Sequence, residues 1–287
     1  MNIDTEYRKA ATESSPVRTI GRAGSVQQYL RIIDMAFKDI CPPNNKKCEL
    51  WYRGQPDAKF DLIPKIGRKP LDPELEIVYL SKFKSLAIPD VQCVPPYPIA
   101  DNSAAYWHWL FLMQHYGVPT RLMDWSRDAF VALFFSIDQL PSSVGNDAAV
   151  WVLSPVKLNE AFSFYSFVKP GYIPNIDEKP VNTLFGPNAN ILKTKKPAAI
   201  VGPINNPRIL AQRGVFTVFP HTKKIVPLNM FNDASDYLFK ISIASESINF
   251  IKEQLTRYGI TRFSLFPDLC NITEEIDLQV KREGQLP

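Results

Sequence analysis

Six residues with polar groups crowd into one short stretch between apolar segments: His115, Thr120, Arg121, Asp124, Trp125 and Ser126, within QHYGVPTRLMDWSRDAFVALFFS from Gln114 to Ser136. Polar atoms set between two buried segments need partners, because leaving one unpaired costs about 1–3 kcal/mol. Two other places carry similar chemistry. Arg53 stands at the mouth of the β-forming run Leu50-Trp51-Tyr52-Arg53-Gly54-Gln55, and Arg208 and Gln212 flank Gly214. Converging arginines and amides suit a ligand rich in phosphates and hydroxyls, and a glycine after Arg53 would let such a ligand approach the backbone. Each residue also has a plainer reading. Arg53 can pair with a carboxylate at the core edge, Arg121 and Asp124 can form a local ion pair plus a helix cap, and His108 and His115, seven apart, can be hydrogen-bonded histidines at a core edge.

Several chemistries lack their motifs. There is no Gly-rich loop ending in Gly-Lys-Ser/Thr, no G-x-G-x-x-G after a strand and no G-x-S-x-G elbow. Three histidines (His108, His115, His221) and four scattered cysteines give no zinc spacing, so no metal is expected.

The elements that must position these residues follow from periodicity and caps. Ser25 caps a helix ending near Ile40, and a strand covers Glu49 to Arg53. Pro73 opens a helix to Ala87 with Leu75, Val78, Tyr79, Phe83 and Leu86 inward, and Pro89 to Pro98 is a loop. Ala104 to Tyr116 is a helix apolar on nearly every side, hence central. Gly117 and Pro119 end it, and a second apolar helix follows, capped by Asp124 or Ser126. Strands are expected at Ala148–Ser154, Ala198–Val201, Val215–Phe219 and Tyr237–Ile243, with Ile260–Phe266 a strand or extended piece. Helices are expected over Glu246–Tyr258 and from Pro267 to about Arg282, while residues 155–197 carry no clear signal. Helices early and strands late, joined to one early strand, predict an α+β single domain over 25–287, its helix-rich first half packed on a mixed or antiparallel sheet, after a loose arm at 1–24.

With 287 residues, 45% hydrophobic and 22% charged, the chain has enough apolar content for a sizeable core. A net charge of +4 is too small to argue for nucleic acid by itself. No signal-peptide core or membrane-length apolar run is present, so a cytoplasmic protein without a membrane partner is expected, with Cys41, Cys48, Cys93 and Cys270 as reduced thiols.

The same residues resemble the FRG-domain family. That family is named for an aromatic-Arg-Gly motif, here Tyr52-Arg53-Gly54 with Gln55. Its second signature, H-x-G-x-P-T-R-L-x-D-W, is matched by His115 to Trp125 and followed by Ala132-Leu133-Phe134-Phe135. A third, R-x-x-x-Q-x-G-x-F, is matched by Arg208, Gln212, Gly214 and Phe216, and Leu265-Phe266-Pro267-Asp268-Leu269 is similar to family tails. The resemblance spans about residues 25 to 280. It implies a setting in bacterial or phage conflict.

The Tyr-Arg-Gly opening also looks like the first motif of arginine-type ADP-ribosyltransferases, which implies a split sheet with NAD as substrate. On that likeness Arg53 grips the diphosphate, Gln212 orients the ribose, and His115, Arg121 and Asp124 shape or polarise the pocket. Tyr52, Gly54, Gln55, Thr120, Trp125, Arg208 and Gly214 would line it, and the acceptor would be a protein or nucleic acid. The chain departs from that pattern: no Ser-Thr-Ser strand or Glu-x-Glu pair is evident, and a glutamine brings no negative charge to a developing cation. The alternative is a non-catalytic module that binds a nucleotide, a nucleic acid or a protein.

Overall fold

Seven extended segments rich in β-branched and aromatic residues assemble into one sheet, and amphipathic or wholly apolar helices cover it. The computed structural model describes residues 15–41, 48–87, 103–140, 145–162, 171–187, 189, 196–204, 206–268 and 271–282. In chain order the elements are β1 (Thr19–Ala23), α1 (Val26–Ile40), β2 (Trp51–Gln55), α2 (Glu76–Ala87), α3 (Ser103–His115), β3 (Leu122–Ser126), α4 (Ala129–Ile137), β4 (Ala148–Leu153), α5 (Pro155–Ala161), α6 (Lys179–Phe185), β5 (Ala198–Ile200), α7 (Pro207–Ala211), β6 (Gly214–Val218), β7 (Leu238–Ile243), α8 (Ile248–Arg257), α9 (Arg262–Leu265) and α10 (Ile272–Arg282).

The strand order is β1-β7-β4-β2-β3-β6-β5. Only β1 and β7 run parallel; the other neighbours are antiparallel. The fold is therefore α+β with a mixed sheet. β4 is buried along its whole length, as a central strand should be. The ladder parts in the middle. β2 and β3 share the single pair Tyr52↔Ser126, while β2 pairs with β4, and β3 with β6, over five positions each.

Side-chain alternation sorts the core. On one face Tyr52, Val150, Val152, Ile241 and Ile243 pack under α1, α4 and α8. Beyond the seam, Leu122, Phe216 and Val218 pack under the aromatic flank of α3, including Trp107, Leu110 and Phe111. Trp51, Met123, Trp125 and Trp151 build the core on the opposite face. Helix α4 sits so close to β2 that a Cβ on Gly54 would strike the Ala132 carbonyl and the Ser136 amide. Helix–strand packing by itself thus requires a glycine at position 54.

Several expectations need correction. Thr19–Ala23 falls within the segment expected to be a loose arm, yet forms an edge strand. The stretch after Pro119 enters β3 before α4, because LMDWS finds its partner in β6, and the cap of α4 is Asp128, which accepts from the Phe130 amide at 2.9 Å. Ile260–Phe266 holds the short helix α9, closed by a Thr261/Ser264 capping box. On α2 the residues buried are Glu76 and Leu80, while Leu75, Val78 and Leu86 are exposed. Cys41 and Cys48 are joined in a disulfide, Cα atoms 5.6 Å apart; Cys93 and Cys270, the Pro89–Pro98 loop and most of the basic Lys193–Lys196 run lie outside the described residues. Among the described residues no helix is long and apolar enough to cross a membrane.

Candidate functional site

Where β2 and β3 diverge, the missing ladder leaves main-chain groups to be satisfied. Arg53 fills the gap: its Nη1 donates to the Asp124 carbonyl at 2.6 Å. Its Nε is buried with no hydrogen-bond partner among the described residues. Burial disfavours this guanidinium's charge; Asp124 opposes that effect and Arg68 adds to it. Arginine stays ionised regardless, so the seam holds a half-buried cation on the lining of a cavity.

That cavity, of about 360 Å³, lies on the helix-covered face. Tyr52, Arg53 and Gly54 form one wall with Ala132 and Phe135 of α4, and Asp124, Trp125, Arg208, Gln212 and Phe266 form the other. A narrower chamber of about 80 Å³ continues from it past Asp124, Arg208 and Gln212 to Gln114 and His115. Three signatures far apart in sequence thus meet at one cleft.

Each side chain in the cleft is held by a local device. Gln114, in the last turn of α3, donates from Nε2 to Asp124 Oδ2 at 2.8 Å, and the Thr120 hydroxyl donates to Gln114 Oε1. The Thr120–Gln114–Asp124 chain fixes the direction of the Asp124 carboxylate. Asn206 caps α7 by accepting from the Ile209 amide at 2.9 Å, which presents Arg208. Its guanidinium carbon lies 4.2 Å from the centre of the Phe266 ring, a cation–π stack. Gln212 Nε2 donates to the Leu265 carbonyl at 3.0 Å, and its own carbonyl accepts from Ser126 Oγ at 2.7 Å.

Two arginines, Arg53 and Arg208, face two aspartates, Asp124 and Asp138, across the cleft. Burial disfavours the charge on Arg208, with Asp124 and Asp268 pulling the other way, and the same holds for Arg68 with Asp124 as its counterweight. His115 is pushed below the ordinary histidine range by burial and by Arg208, against Asp268. The Tyr52 hydroxyl is pushed up to about 12 by burial, with Asp128 and Asp34 adding to it, so it remains a neutral donor. Asp138 on the cavity wall is already bound by Arg262 at 2.6 Å.

Several residues expected at the site lie elsewhere. Arg121 is 2% exposed and outside the cleft. Its Nε lies 3.1 Å from Glu76 Oε2 in an ion pair too bent to be a hydrogen bond. Its Nη2 donates to Tyr106 Oη at 2.8 Å and to the Phe185 carbonyl, while Glu76 Oε1 accepts from its amide at 2.7 Å. Arg121 ties α2, α3 and α6 to the start of β3. The plainer reading of it, a local ion pair with Asp124, is not right either, since its partner is Glu76. Thr120 is fully buried and acts through Gln114. Gln55 binds the Trp151 indole at 2.6 Å on the far face, whereas Trp125 stays on the cleft wall while its indole donates to Thr217 Oγ1 at 3.1 Å. Gly214 opens β6 against Ile209, and the left-handed residue there is Arg213, with φ 47°.

Sequence reasoning did not single out Gln114, Phe135 or Arg68. Phe135 belongs to the A-L-F-F run and Gln114 begins the central stretch, so position was available but role was not. Among the described residues no group of three or more His, Cys, Asp or Glu side chains is placed to hold a metal ion.

An α+β protein with a parted sheet and a cation at the parting is the class these features define. Residues 48–143 match the family model of the FRG domain, so the chain carries an FRG domain there. That match takes in Arg53, Gln114, His115 and Asp124 but not Arg208, Gln212 or Phe266, which later elements supply. No curated protein and no solved structure matches the chain.

Proposed function

We propose that the cleft binds a phosphate-bearing nucleotide, with NAD as the substrate to test first. One observation carries this reading: Arg53 is a half-buried guanidinium that, among the described residues, has no partner for its buried Nε and no paired carboxylate. A buried cation without a counter-charge is costly, and a ligand phosphate supplies the missing charge with charge-assisted hydrogen bonds. Arg208, stacked beyond Asp124 on the same wall, suits a second phosphate oxygen or the ribose.

A catalytic reading is favoured by a second observation, the oriented Asp124 carboxylate. In NAD cleavage the bond between the nicotinamide nitrogen and ribose C1′ breaks, its electron pair leaves with nicotinamide, and water or an acceptor nucleophile adds at C1′. Asp124 provides the negative charge for that developing cation that Gln212 lacks. The acceptor would be water, a protein or a nucleic acid, and bacterial or phage conflict is the setting the family suggests.

The test is calorimetric titration of the full chain with NAD, ADP-ribose and AMP, followed by assay for free nicotinamide. Binding that Arg53→Ala abolishes supports the site. Binding without nicotinamide release leaves a non-catalytic module, and absence of binding by all three ligands removes the reading.

A further inference from the structure

On the other side of the β2–β3 seam lies a larger hollow of about 790 Å³, walled by residues drawn from 53–73 and 223–227. Its charge is almost entirely of one sign. Lys59, Arg68, Lys69, Lys223 and Lys224 join Arg53 on the lining against one carboxylate, Asp61. Asp61 is engaged within the protein, its Oδ1 accepting from Asn229 Nδ2 at 2.9 Å. Among the described residues Lys223 pairs with Glu74, at 3.5 Å with both side chains exposed, and such a pair neutralises little. A concave wall of like charge focuses positive potential even though the whole chain is only +4. The lining also includes Phe60, 52% exposed beside Lys59.

We propose that this trough binds single-stranded nucleic acid. Regularly spaced phosphates would run along the lysines and Arg68, and one base would stack on Phe60, the pairing of basic groove and aromatic platform that holds single strands. An acidic peptide offers no flat face for Phe60, and a duplex hides its base faces. The trough shares Arg53, Gly54 and Pro56 with the nucleotide cleft but does not depend on that cleft's reading. Should the nucleotide be a donor, a strand held here lies beside it.

The experiment is fluorescence anisotropy of a labelled oligothymidylate of about 12 nucleotides titrated with the full chain over a salt series. Five phosphate contacts predict a log–log salt slope of about −3.5. The triple variant Lys59→Glu, Lys69→Glu, Lys223→Glu should bind at least about tenfold more weakly, and Phe60→Ala about tenfold more weakly. Both should keep wild-type melting curves and wild-type NAD titrations. A flat salt response, unchanged affinity in the triple variant, or equal binding of duplex DNA or oligoglutamate overturns the proposal. So does a triple variant that loses NAD while keeping the oligonucleotide. Absence of NAD binding alongside intact oligonucleotide binding sinks only the nucleotide reading.

Discussion

The Arg53 guanidinium donates to the main-chain carbonyl of Asp124 at 2.6 Å, across strands that share a single ladder pair. A side chain therefore stands in for a main-chain donor, and the strands stay apart far enough to leave a cavity. The same guanidinium leaves its buried Nε without a hydrogen-bond partner among the described residues, so only part of its hydrogen-bonding capacity serves the fold.

Arg53→Lys separates that structural duty from ligand binding. An ammonium keeps the charge but cannot hold the carbonyl and a phosphate in one planar fork. Nucleotide affinity should fall by about 2 kcal/mol, roughly thirtyfold in Kd, and further in Arg53→Ala. The melting temperature of Arg53→Ala should change little, because removing an unpaired charge offsets the lost hydrogen bond. Affinity equal to wild type in both variants would take Arg53 out of the site.

If NAD is turned over, Asp124→Asn should leave its Kd nearly intact and lower kcat by about a hundredfold, since the isostere keeps the Gln114 contact and loses the charge. Gln114→Leu tests positioning. It leaves Asp124 ionised but undirected, so kcat should fall by about tenfold or more with Kd unchanged. A pure Kd effect in either variant would assign the carboxylate to binding alone.

Local signals were readable from sequence where local physics decides the outcome. Ser25 accepts from the Gln28 amide and starts α1 as its spacing predicts. β3 was illegible because LMDWS becomes a strand only through β6, about ninety residues later. The inward face of α2 was misread because burying Glu76 depends on Arg121, 45 residues away. Among the site residues, Arg53 and Arg121 look alike in sequence, each an arginine beside apolar runs. Their difference is a carboxylate that folding delivers to Arg121 and not to Arg53.

Gly54 gives a prediction against the expectation from its motif. If it served an incoming ligand, Gly54→Ala would weaken nucleotide binding and leave stability alone. The Ala132 carbonyl and Ser136 amide stand where the methyl group must go, so α4 must shift off β2. Denaturant unfolding should show a loss of about 1–3 kcal/mol or more. A variant of wild-type stability would show that α4 accommodates the methyl.

The buried Arg121–Glu76 pair should behave in the opposite way to Arg53. Arg121→Met leaves an uncompensated carboxylate 3% exposed and should cost about 3–5 kcal/mol, while the double variant with Glu76→Leu should recover much of it. A pH dependence follows from the histidine beside this pair. His221 is lowered from the ordinary 6.5 to about 3, first by burial and then by Arg121. Because the folded-state value is the lower one, the unfolded chain takes up the proton first. The contribution is complete above 6.5 and is lost as pH falls toward about 3, at no more than about 1.4 kcal/mol per pH unit for one proton. Denaturant midpoints across that range should fall in wild type and fall less in His221→Phe. A slope unchanged by His221→Phe would assign the acid sensitivity to other groups.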